Sequence, residues 1–108
     1  MRSGKKYSLS SPSFIVERLN HRFRESGEPT LTSYLQKHFN YYLRGRYKLS
    51  KERTKELFLN VPGKKNSLSF YLKPEQDDKM VDLALCNLRS RNEQAYHFIF
   101  SLYESLKK

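Results

Sequence analysis

The segment KNSLSFYLK, residues 65–73, alternates strictly. Leu68, Phe70 and Leu72 fall on one side, with Ser67, Ser69, Tyr71 and Lys73 on the other. A period of two with one apolar face predicts a half-buried strand. A lone strand leaves a row of backbone N–H and C=O groups unpaired, so a chain built around this segment has to supply it with a partner. A second extended candidate lies at residues 5–10. There KKYSLS matches KKNSLS (residues 64–69) at five of six positions, with Tyr7 and Leu9 facing inward and Lys6, Ser8 and Ser10 outward.

The segments downstream of the two copies repeat as well. After the first, Pro12-Ser13 reads as a helix entrance, and Ile15, Leu19 and Phe23 recur at helical spacing until Gly27 stops the run. Thr30 is a good N-cap for a second helix whose inner face is Leu31, Leu35, Phe39 and Tyr42, ending near Arg44-Gly45. After the second copy, Pro74 opens a helix lined by Met80, Leu83 and Ala84, which runs out around Asn87. Ser90 and Glu93 have capping-box spacing, and Ala95, Phe98, Ile99, Leu102 and Leu106 mark a final helix. Both halves therefore read strand, helix, tight turn, helix. Counted from the caps Thr30 and Ser90, Leu9 corresponds to Phe70 rather than to Leu68, two residues away from the register of the string match. The expected boundaries are a first unit over 1–44, a connector over 45–63 and a second unit over 64–108, around one core. In the connector Ser50 caps a short helix, and Pro62-Gly63 is a turn. The fold class is mainly α, with a short two-stranded antiparallel ribbon.

The chain carries 21 Lys and Arg against 11 Asp and Glu, a net charge of +10. A small chain this basic points to a polyanionic partner. The excess lies mainly in residues 1–63, with 13 cations against 5 acids, yet no run of five like charges makes a basic tail. Cys86 is the single cysteine, which excludes an intrachain disulfide and a multi-cysteine zinc site; its place beside Leu85 reads as buried. No apolar stretch approaches the roughly 20 residues of a membrane helix, and the N-terminus has no signal-peptide pattern, so the expectation is a cytoplasmic protein. His21, His38 and His97 lack metal-ligand spacing. No phosphate loop, nucleophile motif or convergent carboxylate pair is visible, Asp77 and Asp78 being adjacent on a helix. No catalytic residue, metal or cofactor is expected.

A two-stranded ribbon with one face on helices presents its other face to solvent, and such a ribbon fits the major groove of B-DNA. The second helices add N-terminal N–H groups suited to DNA phosphates, with Arg89 and Arg91 bracketing Ser90. At these residues, above all over 67–106, the chain resembles the ribbon-helix-helix family of DNA-binding proteins. LRSRNEQA, residues 88–95, is similar to that family's helix-turn-helix junction. Two units in one chain resemble a narrower group, the tandem, TraY-like relaxosome accessory proteins of F-type conjugative plasmids, whose units pair as an intramolecular pseudo-dimer.

The resemblance implies sequence-specific binding of double-stranded DNA at a plasmid transfer origin, in company with a relaxase and a host DNA-bending protein. It implies base reading by Lys6, Ser8, Ser10, Ser67, Ser69, Tyr71 and Lys73, and phosphate contacts by Lys5, Thr30, Lys65, Arg89, Ser90 and Arg91. The first unit departs from the pattern. Ser10, Ser11 and Pro12 come after Leu9, which predicts a shorter first strand, and the turn GEPT lacks the arginines of the second. A ribbon-helix-helix repressor or autoregulator is the alternative within DNA binding. Outside it stands a protein-interaction adaptor docking through Tyr41, Tyr42, Tyr96 and Tyr103, residues whose other reading is core packing. An internally complete ribbon predicts a monomer in solution that can bind side by side on DNA.

Overall fold

The computed structural model describes residues 4–47, 49–50, 52–53, 55–56 and 65–106. They form a mostly helical molecule with one two-stranded antiparallel sheet. The element order is β1 (Lys5–Pro12), α1 (Ser13–Ser26), α2 (Leu31–Leu43), β2 (Lys65–Leu72), α3 (Pro74–Cys86) and α4 (Arg91–Leu106). Each strand is thus followed by two helices.

β1 and β2 pair over their full length, from Lys5 opposite Leu72 to Pro12 opposite Lys65. The alternation sets the parity. Tyr7, Leu9, Leu68, Phe70 and Leu72 are buried, while Lys6, Ser8, Ser10, Ser67, Ser69 and Tyr71 are exposed. The first strand is not the shorter one, since both have eight residues. Pro12 is tolerated because it closes the strand, where a missing N–H does least harm. Ser11 is small enough to take the inward position, and it is fully buried.

The helix boundaries obey local chemistry. α1 starts after Pro12 and ends at Gly27, whose φ of 82° is the left-handed conformation that favours glycine. Thr30 caps α2 by accepting from the Ser33 N–H at 3.1 Å. Ser90 caps α4 by accepting from the Glu93 N–H at 3.1 Å. Pro74 opens α3 as the spacing predicts. In the connector the Ser50 hydroxyl accepts from the Arg53 N–H at 3.1 Å, and residues 52–53 and 55–56 are helical. The remainder of that expected helix and the Pro62-Gly63 turn lie outside the described residues.

Each half packs across the other as well as on itself. α2 lies on β2, α4 lies on β1, and α4 also touches α1, α2 and α3. The buried apolar side chains of both halves form one cluster. Its centre is aromatic: Tyr7 stacks on Phe70 at 5.5 Å, and Phe98 meets Phe39 edge-on at 5.1 Å and Phe70 at 6.1 Å. Tyr42 and Tyr103 belong to this cluster, so they are core residues rather than parts of a docking face. Cys86 departs from expectation in the other direction. It is exposed, and Leu85 beside it is 70% exposed. Met80 and Ala84 fix the inward stripe of α3, and a helix rotates the next two positions away from it.

Leu72→Asp should abolish cooperative folding, because it puts a carboxylate on the fully buried face of the ribbon. Phe98→Ala should cost about 3–5 kcal/mol through the cavity it opens between the halves. Thermal melting followed by circular dichroism tests both. An unchanged transition for Leu72→Asp would show the strand parity to be inverted.

Candidate nucleic-acid interface

The exposed face of the ribbon is built from three cross-strand pairs. Register puts Lys6 opposite Tyr71, Ser8 opposite Ser69 and Ser10 opposite Ser67. The hydroxyls of the central pair lie 3.4 Å apart. Small polar groups at the centre leave the backbone open to close approach, and longer side chains stand at one end. Lys73, exposed just beyond β2, has its N–H donating to Gln76 Oε1 at 3.2 Å.

Second-helix side chains hold the ribbon edges. Tyr96 of α4 accepts from the Ser10 N–H at 2.9 Å and donates to the Ser10 carbonyl at 3.1 Å. Gln36 of α2 donates to the Tyr71 carbonyl at 2.8 Å. Buried Gln76 donates in turn to the Gln36 carbonyl at 3.0 Å and to Asn40 Oδ1 at 3.1 Å. These residues are not legible as site residues: Gln36, Gln76 and Tyr96 break no pattern in the sequence, and only the tertiary fold brings them to the strands.

Tyr71 is not a freely projecting arm. Its hydroxyl accepts from the Gly4 N–H at 2.7 Å, so the ring lies back across the end of β1. A Cβ on Gly4 would stand 2.0 Å from the Leu72 carbonyl oxygen and 2.6 Å from the Tyr71 ring. Only glycine admits that approach.

The residues expected at phosphates separate into distinct settings. Lys5, Ser90, Arg91 and Asn92 line one open depression where the N-terminus of α4 meets the start of β1. Arg91 also lies 3.9 Å from Asp77, which accepts a hydrogen bond from the Tyr7 hydroxyl at 2.5 Å. Burial and that carboxylate push the Tyr7 phenol well above its ordinary range, so it stays a donor. Arg89 turns inward, 3.4 Å from Gln94 Oε1. Lys65 is exposed at the opposite end of the ribbon, across from Pro12. Thr30 caps α2 beside Glu28, whose carboxylate accepts from Ser33 Oγ at 3.2 Å and lies 3.7 Å from Lys37 Nζ.

Behind the interface, Gln94 links the halves. Its Nε2 donates to the Tyr42 hydroxyl at 2.5 Å, and that hydroxyl lies 2.7 Å from His97 Nδ1. Burial pushes Tyr42 up to about 12. Burial and then the charge of Arg89 push His97 down to about 4.

No family model matches the sequence, and neither curated proteins nor solved structures give a match. No helix among the described residues is long and apolar enough to cross a membrane.

The His97 shift has a definite sign. Its folded value lies below the ordinary imidazole value of about 6.5, so the unfolded chain takes up the proton first. The neutral ring's contribution to stability is complete above about pH 6.5 and is lost as pH falls through about 4. Denaturant titrations across that window should show a loss on the order of 2 kcal/mol, after allowance for solvent screening at a half-buried ring. His97→Gln should flatten the profile in that window.

Proposed function

We propose that the chain is a tandem ribbon-helix-helix protein, its two units paired as an intramolecular pseudo-dimer, that reads double-stranded DNA through the exposed ribbon face. The observation that carries the reading is a reciprocal pair of contacts. A shift of 61 residues relates the strands, so that Ser10 corresponds to Tyr71 (10 + 61 = 71) and the Ser8–Ser69 pair maps onto itself. A shift of 60 relates the second helices, so that Gln36 corresponds to Tyr96 (36 + 60 = 96). Gln36 of the first unit grips the Tyr71 backbone of the second, and Tyr96 of the second grips the Ser10 backbone of the first. That reciprocity is what a local two-fold axis through Ser8–Ser69 requires. The shift of 61 also matches the helix starts Ser13 and Pro74, whereas the shift of 59 implied by the string match puts Ser13 on Leu72, inside β2.

Such a ribbon carries hydroxyls and a lysine to the base edges of a groove about 12 Å wide, with the Tyr71 ring lying along its end. The depression at Lys5, Ser90, Arg91 and Asn92 receives a backbone phosphate at the N-terminus of α4, where free N–H groups and side-chain cations converge. The net charge of +10 supplies the sequence-independent attraction. Within this reading the tandem organisation favours a relaxosome accessory role at a plasmid transfer origin, in company with a relaxase and a host DNA-bending protein. The burial of Tyr42 and Tyr103 counts against the adaptor reading, which needs them at the surface.

Ser69→Ala should relax base preference and cost roughly 1–3 kcal/mol on the specific duplex, with little change on random DNA. Equal losses on both would remove base reading from the ribbon. Affinity should fall roughly 10³- to 10⁵-fold between about 50 and 200 mM salt if six to ten phosphates are neutralised. A flat salt response would return the protein-adaptor class to the front.

A further inference from the structure

We infer that the DNA site of this protein is non-palindromic and bound in one fixed orientation, because the ribbon has a strong end and a plain end. This rests on the ribbon being the DNA-reading surface. The two-fold relation maps Lys6 onto Ser67 and Ser10 onto Tyr71, so each long side chain has a serine as its counterpart. Both long side chains fall at the same end, since Lys6 stands opposite Tyr71 and Ser10 opposite Ser67. The backbone bonds at the Tyr71 end are also supplemented, through the Gly4 N–H and the Tyr71 hydroxyl.

The flanking phosphate positions are asymmetric in the same sense. Lys5, next to the strong end, shares its depression with Ser90 and Arg91. By the same shifts its counterpart combines Asn66 with Thr30 and Leu31, which brings no cation where the depression at Lys5 has two, Lys5 and Arg91. The acid nearest Thr30, Glu28, is held there by Ser33 and Lys37. Lys65 remains the one cation of β2 at the plain end.

A homodimeric ribbon is symmetric by construction and asks for a palindrome. Here covalent linkage frees the two strands to differ. A lysine is suited to the acceptor edge of guanine, O6 and N7, whereas a serine hydroxyl suits either donor or acceptor and discriminates less. One half-site should therefore be read stringently and contain guanine, with the other tolerant of change.

Selection from a random duplex pool near 150 mM salt, followed by directed cleavage, tests this. Cys86 is exposed, is the single cysteine of the chain, and lies four residues before Ser90, so a hydroxyl-radical-generating iron chelate attached there reports where the strong end sits. The expected result is an asymmetric motif with cleavage on one flank, beside the stringent half. Lys6→Ala should lower affinity for the selected site roughly 5- to 150-fold, the span of about 1–3 kcal/mol, and Ser10→Ala should lower it less. Ser67→Lys, which copies Lys6 onto its counterpart, should make the selected motif more symmetric. A palindromic motif, or equal cleavage on both flanks, overturns the inference and leaves ribbon reading intact. Recovery of no motif overturns both.

Discussion

Everything in this molecule depends on β1 and β2 satisfying each other. Eight residues of isolated strand cannot hold together in water, and a two-stranded sheet is marginal without a packed face. The pairing places Tyr7, Leu9, Leu68, Phe70 and Leu72 on one side, and that surface is what α2 and α4 cover. The helices in turn need the ribbon, since the buried stripes of both helix pairs lie in one cluster with the strand residues. Sheet and helices are therefore one cooperative unit, and the polar face is polar because the other face had to be apolar.

Periodic parts of the chain are legible in its sequence and non-periodic parts are opaque. Period two predicts which side of β2 is buried, residue by residue. The caps at Thr30 and Ser90 are readable because a hydroxyl at an N-cap has a specific local partner three residues on. The length of β1 is hidden because Ser11 and Pro12 are poor strand formers in isolation, and the paired neighbours Asn66 and Lys65 override that preference. Cys86 defies its sequence context because its apolar neighbour, Leu85, suggests an inward position that neither residue takes; a helix separates adjacent residues by about 100°.

The same division holds for the interface. Its exposed residues are set by strand parity alone. Which of them stand together is not, because that needs the antiparallel register, and a sequence repeat shows which residues correspond, not which residues pair. The supporting contacts from Gln36, Tyr96 and Gly4 are hidden for a simpler reason. They join residues far apart in the chain through groups that many other positions could equally carry. Arg89, expected at the surface, is drawn inward by Gln94, a buried amide whose need for a partner is set by tertiary packing.

The antiparallel pairing also has a consequence for how the chain is made. Partners in the ribbon are 53 to 67 residues apart in sequence, from Pro12 with Lys65 to Lys5 with Leu72. Loop closure on that scale has to precede any sheet contact. At translation rates of roughly 5–20 residues per second, β1 leaves the ribosome several seconds before its partner exists. For that interval its inward side, Tyr7 and Leu9, lacks β2 and α4, and its edge is open to any other strand. The alternating hydroxyls and the adjacent lysines at residues 5 and 6 then act as a safeguard, because a short, charged, serine-rich strand is a poor template for aggregation. The lysines and hydroxyls that the proposed DNA reading uses thus have a second use while the chain is unfinished.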